Sequence, residues 1–459
     1  MTDRARLPSP PGPPLRAAPS LLRKLATDRL GLVSSAVSEY GDAVRIRMGP
    51  KTLYLFNHPD HAKHVLADNN ANYRKGIGYI QARRALGNGL LTSDGELWKE
   101  QRRTVQPLFG HARTAEYADV VSDEADKLAT RLKSAQNHGS VDVVREMTAF
   151  TLRVLGRTLL DLDSGLPGSI GRSFETVQDQ AMFEMQTMGM VPQWLPLPTG
   201  SRFLNARREL GETVDDLVAY RSTNPDPHGD DLLLRLLRSA GPDRDSPAKK
   251  QRIRDDLITL LLAGHETTAS MLGWTFHLLD GHPEVMSRIR SEAETVLGDR
   301  RPKHEDLHSL PYTMMVLQES IRLFPPVWIL PRRSRYADEI GGYHVPAGAD
   351  VLICPYTLHR NPKFWDRPDR FDPERFRSDR AAERPRYAHI PFGAGPRFCV
   401  GNQLGMMEAV FVLVTVAKNM RLSKSGRPPV PEPMLSLRLG GGLPMKVHGT
   451  DGPFRPSRI

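Results

Sequence analysis

The order of apolar and polar residues near the start of the chain predicts a short β hairpin. Residues 43–48 (AVRIRM) and 52–56 (TLYLF) are short alternating runs, the pattern of strands with one buried face. Gly49 and Pro50 separate the two runs and supply a turn. A second β-like region is predicted between residues 338 and 355, where the turn-rich stretch EIGGYHVPAG leads into the apolar run VLIC.

Most of the remaining chain carries apolar residues at the spacing of an α-helix. These helical segments cover residues 150–160, 174–188, 255–279, 285–296, 312–323 and 404–418. The breaks between them are short, and no internal repeat interrupts the pattern. The sequence therefore predicts a mainly α-helical protein with a minor β region. It also predicts a proline-rich tail at residues 1–20 and a single folded domain at residues 21–459.

The longest predicted helix, residues 253–279, contains an unusual polar interruption. Its flanks, LITLLLAG and ASMLGWTF, are apolar on nearly all sides, as in a buried helix. Between them lie four polar residues, His265, Glu266, Thr267 and Thr268. Because buried polar groups cost free energy unless they are satisfied, this interruption indicates a functional site.

Composition narrows the class of protein. The 459 residues include no segment near the roughly 18 uncharged apolar residues that a membrane-spanning helix needs, and no secretory signal, so we expect a cytoplasmic protein without stable membrane insertion. Two cysteines, Cys354 and Cys399, are too few for an iron–sulfur cluster held by four thiolates. The net charge of +10 favours acidic partners, but no nucleic-acid-binding motif or arginine-rich block accompanies it.

One cysteine lies in a segment whose composition is not that of a packed core. In residues 391–401, PFGAGPRFCVG, glycines surround Cys399 directly before an apolar helix. A thiol becomes a thiolate beside a metal, a cation or backbone N–H donors at a helix start. Arg397 and the helix that begins near Asn402 offer the last two, so Cys399 is the candidate metal ligand.

Other catalytic motifs are excluded by the residues present. His265 and Glu266 begin the zinc-protease pattern H-E-x-x-H, but Ala269 stands where the second histidine is required. No nucleophile elbow, phosphate-binding loop or dinucleotide fingerprint occurs, which disfavours hydrolases and nucleotide-binding domains.

The cysteine loop resembles the signature F-x-x-G-x-R/H-x-C-x-G of the cytochrome P-450 haem-thiolate monooxygenases, with Phe392, Gly395, Arg397, Cys399 and Gly401 at its fixed positions. Four further motifs follow the order of that family: W-x-x-x-R at Trp98 and Arg102, AGHETT at residues 263–268, E-x-x-R at Glu319 and Arg322, and PERF at residues 373–376. The resemblance extends from about residue 30 to residue 448. It implies the cytochrome P-450 fold, with its long central I helix over the haem.

The resemblance assigns roles around haem b, the iron protoporphyrin IX cofactor. It implies that Cys399 is the axial iron ligand and that the cofactor also contacts Phe392, Gly395, Gly401 and Ala263. The haem propionates are expected to bind Trp98, Arg102, Arg332 and Arg397, although Arg333 and Arg335 leave the register at Arg332 open.

Glu319 and Arg322 lie three residues apart, on one helical face, where an ion pair can form. Taken alone, such a pair is often exposed and contributes less than about 1 kcal/mol. The resemblance implies instead a buried structural cluster, completed by Arg375.

Glu266 and Thr267 are the candidate catalytic residues. Heterolytic cleavage of dioxygen needs two protons while bulk water stays excluded, and a carboxyl and a hydroxyl can relay them. Thr267 can also hydrogen-bond back to a helix carbonyl, which bends the helix. The resemblance implies both functions for this threonine.

The resemblance also predicts a substrate pocket for a fairly large apolar molecule. Its expected lining is the loop of residues 77–91, represented by Ile77, Ile80, Leu86 and Leu90, together with Phe183, Met185, Met188, Thr259, Ala263, Val327, Trp328, Ile329 and Leu330. Methionines at helical spacing, as in residues 182–190, are equally typical of an ordinary core.

These observations predict a monooxygenase that hydroxylates or epoxidises a terpenoid or polyketide intermediate with dioxygen. Electrons from NAD(P)H must arrive through a separate redox partner, because the chain has no flavin or nicotinamide fingerprint; a basic face around Cys399 suits an acidic ferredoxin. Two alternatives remain: a fatty-acid peroxygenase, which has no need of the Glu266–Thr267 pair, and a non-enzymatic haem sensor, which needs neither an apolar pocket nor a proton relay.

Overall fold

The computed structural model describes residues 7–449, except for residues 50, 137–138, 164–165, 167–168, 187–197, 224–228 and 242–245. The α-helices are α1 (Ala18–Thr27), α2 (Arg29–Tyr40), α3 (Pro59–Lys63), α4 (Tyr79–Leu86), α5 (Gly95–Val105), α6 (His111–Glu116), α7 (Ala118–Ser134), α8 (Val143–Leu159), α9 (Ser169–Gln186), α10 (Pro198–Thr223), α11 (Leu232–Ala240), α12 (Pro247–Asp280), α13 (Pro283–Leu297), α14 (Pro311–Leu323), α15 (Pro355–Leu358), α16 (Ser378–Ala382) and α17 (Asn402–Asn419).

The strands are β1 (Ala43–Met48), β2 (Lys51–Phe56), β3 (Tyr73–Lys75), β4 (Ser140–Asp142), β5 (Leu330–Ser334), β6 (Asp338–Ile340), β7 (Tyr343–Val345), β8 (Asp350–Ile353), β9 (Arg421–Lys424), β10 (Val430–Pro433), β11 (Leu437–Gly440) and β12 (Pro444–His448). The structure is thus mainly helical with a minor β portion, as predicted. Each predicted helical segment lies on a helix.

The predicted hairpin forms one edge of the largest sheet. Strands β1 and β2 are antiparallel, with Ala43 opposite Phe56 and Met48 opposite Lys51. The sheet has the order β1-β2-β8-β5-β3, and β8, from the predicted second β region, is parallel to β2. Strand β5 lies between β8 and β3, so residues 330–334 and 73–75 become neighbours. This pairing builds one end of the site described below.

Helix α12 is the central element of the helical part. It is continuous from Pro247 to Asp280 and most of its residues are buried, including Leu257, Leu261 and Leu272. It packs along α8, α14 and α17. Gly264 permits one of these close contacts, because a Cβ there would lie 2.9 Å from a methyl group of Leu155 on α8. No described helix has the length and apolar character needed to span a bilayer.

The proline-rich start of the chain lies against strands β1 and β7, which belong to two different sheets. Arg45 N–H donates a hydrogen bond of 2.7 Å to the carbonyl of Pro11, and His344 N–H donates one of 2.9 Å to the carbonyl of Pro8. Helix α1 begins at Ala18, so the predicted tail boundary at residue 20 falls inside a helix. The segment from residue 8 onward is docked by backbone hydrogen bonds, which the proline content alone did not predict.

A buried charge cluster anchors α14 to the segment that precedes the cysteine loop. Both carboxylate oxygens of Glu319 accept hydrogen bonds from Arg322, at 2.6 and 2.8 Å, and Arg375 lies 3.3 Å away. Glu319 and Arg322 are fully buried. Arg322 also donates to the carbonyls of His359, Pro368 and Arg370. The cluster therefore fixes residues 359–372 by charge-assisted hydrogen bonds.

Candidate active site

An internal cavity lies between α12, α17 and the cysteine loop. The loop is held by tight backbone hydrogen bonds: Cys399 N–H donates to the carbonyl of Phe392 at 3.0 Å, and Phe398 N–H donates to that of Gly395 at 3.0 Å. Gly395 has a φ of 66°, and a Cβ there would lie 1.9 Å from the carbonyl oxygen of Leu66. Only glycine fits this position, which turns Cys399 toward the cavity.

The pKa of the Cys399 thiol is set by opposing influences. Desolvation is the largest and raises the pKa, whereas the Gly401 N–H and the positive charge of Arg102 lower it. A backbone donor before the helix was expected from the sequence and is present at Gly401, but the cation that acts on the thiol is Arg102, not the expected Arg397, and neither outweighs desolvation. A stable thiolate at Cys399 therefore depends on coordination to a metal.

One end of the cavity carries a cluster of buried cations. Lys75 on β3 lies directly opposite Arg332 on β5, so both side chains leave the same face of the sheet. Lys75, Arg332 and Arg397 all line the cavity, and the first two are more than nine-tenths buried. Burial, and then repulsion from Arg332 and Arg397, lowers the pKa of Lys75 well below its ordinary value.

Among the described residues, Asp94 is the acidic side chain that pairs with this cation cluster. Arg397 contacts an Asp94 carboxylate oxygen at 2.5 Å and the Ser93 carbonyl at 3.0 Å. Three cations around one carboxylate leave an excess of positive charge in a poorly solvated place. The two propionates of a haem would neutralise this excess, so the residues present fit that cofactor. Lys75 was not predicted from the sequence. The ring of Tyr79, in the loop expected to line the substrate pocket, lies 4.0 Å from the Lys75 ammonium.

Trp98 and Arg102, which are expected to bind the haem propionates, contact residues of the cysteine loop. Neither lines the cavity. The Trp98 ring instead supports the Arg397 guanidinium at 3.9 Å, and Arg102 donates a 2.7 Å hydrogen bond to the Phe398 carbonyl. In this structure, both residues hold the cysteine loop, and direct contact with a propionate stays a prediction.

The polar residues of α12 are divided between two faces of the helix. Ala263, Gly264, Thr267 and Thr268 line the cavity beside Cys399. The Thr267 hydroxyl donates a 2.8 Å hydrogen bond to the Ala263 carbonyl, the back-bonding predicted from the sequence. His265 and Glu266 face a separate polar cleft on the other side of α12.

The carboxyl group of Glu266 is largely enclosed and hydrogen-bonded. It accepts a hydrogen bond of 2.8 Å from the Ser436 hydroxyl and another from the Gln178 amide. Burial raises the pKa of Glu266 to about 7, although Arg438 and Ser436 act in the opposite direction. The group can thus be protonated or ionised near neutral pH, as a proton-transfer residue requires.

A second buried carboxyl lines the cavity. Glu408 on α17 is 2% exposed and shares a hydrogen bond with Thr268. Burial raises the pKa of Glu408 to about 8, so the side chain is mostly uncharged at neutral pH. Sequence reasoning missed this residue. The available signal was a single glutamate inside the apolar run of residues 404–418.

The apolar wall of the cavity differs in part from the prediction. Ala263, Val327 and Leu330 line it as expected, and so does Leu91 at the end of the expected loop of residues 77–91. Residues that sequence reasoning missed also line it: Phe109, Leu155, Leu159, Leu260, Met271, Ile321 and Leu404. The backbone of Met185 lies on α9, and Met188 lies outside the described residues. The other predicted residues do not line the cavity: Ile77, Ile80, Leu86, Leu90, Phe183, Thr259, Trp328 and Ile329.

Packing explains several of these corrections. Trp328 packs in the core of the sheet and donates its indole N–H to the Met434 carbonyl. Leu86 packs into the main helical core, whereas Ile80 on the same helix faces outward. Thr259 is buried against Gly89. Their order along the chain could not distinguish a core contact from a cavity wall.

Comparison with known proteins agrees with this geometry. The family profile described as Cytochrome P-450 matches residues 10–444. Cyclooctatin synthase of Streptomyces melanosporofaciens is 36% identical over 410 residues, which are 88% of this chain and 88% of that protein. Pentalenene oxygenase of Streptomyces avermitilis is 33% identical over 392 residues, 85% of this chain and 86% of that protein.

The fold also matches a solved structure. The crystal structure of the cytochrome P450DA heme domain superposes with a TM-score of 0.84 over 97% of this chain and 98% of that chain, at 24% sequence identity. The sequence relatives and the family profile each cover most of the chain. The chain therefore belongs to the cytochrome P-450 family of haem-thiolate monooxygenases.

Proposed function

We propose that this enzyme hydroxylates or epoxidises an apolar terpenoid intermediate in the biosynthesis of a natural product. Relatives named for cyclooctat-9-en-7-ol and pentalenene act on terpenoids. The observation that carries the proposal is the apolar cavity wall, formed by residues such as Leu155, Leu260 and Val327, beside Cys399 and Thr267. Such a wall suits a hydrocarbon skeleton, which is oriented by shape more than by hydrogen bonds.

The residues around the cavity fit haem in two ways. Cys399 offers a sulfur ligand on a rigid loop, and Lys75, Arg332 and Arg397 offer positive charge to the propionates. When bound, haem would supply the activation of dioxygen, and a thiolate ligand from Cys399 would favour cleavage of the oxygen–oxygen bond.

The chain's own residues would control protons. Thr267 holds its hydroxyl at the cavity wall by donating to the Ala263 carbonyl, and it presents its lone pairs to the cavity. Glu266 can hold or release a proton near neutral pH on the opposite side of the helix. In this proposal, Glu266 takes its proton from water in the polar cleft and passes it toward the Thr267 side of α12.

Electrons would come from an acidic ferredoxin-type protein, reduced at the expense of NAD(P)H by a separate reductase. Phe398, next to Cys399, is 39% exposed, and Arg102, which donates a hydrogen bond to the Phe398 carbonyl, adds positive charge beside it. A basic and partly apolar surface beside the ligand loop would receive an acidic partner. Product formation by the purified protein with NADPH and no partner protein would contradict this part of the proposal.

The substrate class can be tested with a panel of terpenoids, polyketides and fatty acids. Displacement of water from the haem iron changes the Soret absorbance, so binding can be scored without turnover. We expect terpenoids to give the largest change at the lowest concentration. A response confined to fatty acids, with turnover driven by hydrogen peroxide, would favour a peroxygenase. No response to any apolar molecule would favour a sensor.

The proton role is tested by Thr267→Ala. Loss of the hydroxyl should leave NADPH consumption in place and divert it to hydrogen peroxide, with product per NADPH reduced by about tenfold or more. The matched control is Thr275→Ala on the same helix: Thr275 also donates to the carbonyl four residues earlier, at 2.7 Å, but lies away from the cavity. Unchanged coupling in Thr267→Ala would count against the relay.

A further inference from the structure

The polar cleft behind α12 has a volume of about 1210 Å³ and is separate from the cavity that contains Cys399. Helices α8, α9 and α12 form its walls together with strands β10 and β11. Glu266 is the one carboxyl that α12 contributes to it, among the described residues. Because residues 266 and 267 face different spaces, the cleft is the side from which solvent can reach Glu266.

Arg438, on β11, extends into this cleft and faces three carboxylates. Its terminal nitrogen lies 2.9 Å from an Asp179 oxygen on α9. Its Nε lies 3.8 Å from Glu266 Oε1 and 3.9 Å from an oxygen of Glu432 on β10. The side chain is 18% exposed, and its Nε is buried without a hydrogen-bond partner among the described residues. One cation therefore links α9, α12 and the β10–β11 hairpin.

The charges around Glu266 oppose one another. Arg438 favours the ionised carboxylate, and so does the hydrogen bond from Ser436. Glu175 and Asp179 on α9 favour the protonated form, as does burial. Gln178 and Ser436 each occupy one carboxyl oxygen and turn the group toward the cleft. Within the part of the chain that the structure describes, Arg438 is the cation that lowers the pKa of Glu266, so its removal should leave burial, Glu175 and Asp179 to raise that pKa further.

We propose that Arg438 is a positioning residue for the proton supply of this monooxygenase. Its positive charge, 3.8 Å away, favours the ionised form of Glu266, which Gln178 and Ser436 turn toward the cleft, so that the carboxylate can take a proton from water there before that proton is used on the Thr267 side. No electrons move in this step: an O–H bond of protonated water in the cleft breaks as an O–H bond forms on Glu266, and bulk water resupplies the proton. The inference rests on the proposed relay through Glu266 and Thr267.

Three variants of the holoenzyme test the inference: Arg438→Gln removes the cation, Arg438→Lys keeps it, and Arg172→Gln removes an exposed arginine that lines the same cleft. The readout is the ionisation of Glu266, followed as the infrared C=O band that is lost in Glu266→Gln. We expect Arg438→Gln to raise the pKa of Glu266 by about one unit, since an opposite charge within a few ångströms favours the ionised form. Arg438→Lys should leave the pKa of Glu266 close to that of the unsubstituted protein, and Arg172→Gln should not change it.

Catalysis is measured on the same variants as product per NADPH across pH. In Arg438→Gln the pH dependence of coupling should move with the infrared titration, while the substrate-induced Soret change keeps its midpoint concentration. An unchanged Glu266 titration in Arg438→Gln would overturn the inference, as would a shifted titration that the coupling does not follow. A failure of the relay itself can be distinguished from a failure of the Arg438 inference. If the relay were wrong, Glu266→Gln would leave product per NADPH unchanged, both with Arg438 present and with Arg438→Gln.

Discussion

Lys75 illustrates at the scale of one residue how position determines chemistry. In the sequence it is one of 63 basic residues, and no motif marks it. The strand pairing places it opposite Arg332 and inside the cavity, where burial and repulsion lower its pKa. Cys399 is the opposite case. Its glycine-rich loop is local, so the sequence alone was sufficient to identify it. Local geometry can be read from the chain, whereas a charge contributed by a distant strand cannot.

Substitution of Lys75 should affect the holoprotein and the apoprotein differently. In Lys75→Met the haem should dissociate about tenfold faster or more, because a hydrogen bond to a charged group contributes about 1.5 to 3 kcal/mol. The apoprotein should be no less stable to heat, since the substitution removes a buried cation beside two others. Haem transfer to an acceptor apoprotein and thermal unfolding of the apoprotein measure the two effects. An equal loss in both would indicate a merely structural lysine, and Lys99→Met on exposed α5 is the control.

At the scale of the element, α12 separates neighbouring residues. A helix turns by about 100° per residue, so Glu266 and Thr267 face different spaces although they are adjacent in sequence. The apolar flanks predicted this buried helix, and the polar interruption marked its functional part. Which polar residue faces the cysteine loop was not determined by α12 itself. That depends on how α8, α14 and α17 pack around the helix.

Helix α14 provides a prediction about stability. Glu319→Gln should lower the free energy of unfolding by about 3 to 5 kcal/mol, because it leaves the charge of Arg322 buried and uncompensated. Chemical denaturation of the holoprotein would measure the loss. Glu96→Gln is the matched control. Glu96 is exposed and pairs with Lys99, also at a spacing of three residues, so its loss should change stability by less than about 1 kcal/mol. Equal effects from both substitutions would contradict a special role for the buried cluster.

At the scale of the whole molecule, buried titratable groups should lower stability at both acidic and alkaline pH. Burial lowers the pKa of several histidines, to about 4 for His61, His265 and His277 and about 3 for His389. Burial raises the pKa of three carboxyls, to about 7 for Glu266 and Asp256 and about 8 for Glu408. These groups come from α3, α12, α17 and the segment before the cysteine loop, so their combined effect belongs to the tertiary structure.

Stability should be greatest between about pH 6 and pH 7. Below about pH 6.5 the unfolded chain protonates its histidines while the folded chain keeps them neutral. The free energy of unfolding therefore decreases as the pH decreases, until the pH reaches the pKa values of the folded state. Above about pH 4.5 the three carboxyls are ionised in the unfolded chain but still protonated in the folded chain. Their contribution to the free energy of unfolding therefore decreases as the pH rises toward 7 to 8. The thermal midpoint measured across this range checks the optimum. His389→Phe should flatten the acid side and Glu408→Gln the alkaline side, and a midpoint that rises steadily with pH would contradict the prediction.

The sequence by itself determined the features that a short stretch of chain can encode. These are the mainly helical fold with a small sheet, the long buried helix with its polar interruption, the glycine-rich cysteine loop and the E-x-x-R pair. Each depends on periodicity, on backbone freedom or on residues within one helical turn. The tertiary structure alone decided that Lys75 joins Arg332 and Arg397, that Glu408 lines the cavity, and that Arg438 faces Glu266. Those groups meet through the packing of elements that are far apart in the chain, and no local pattern records such long-range contacts.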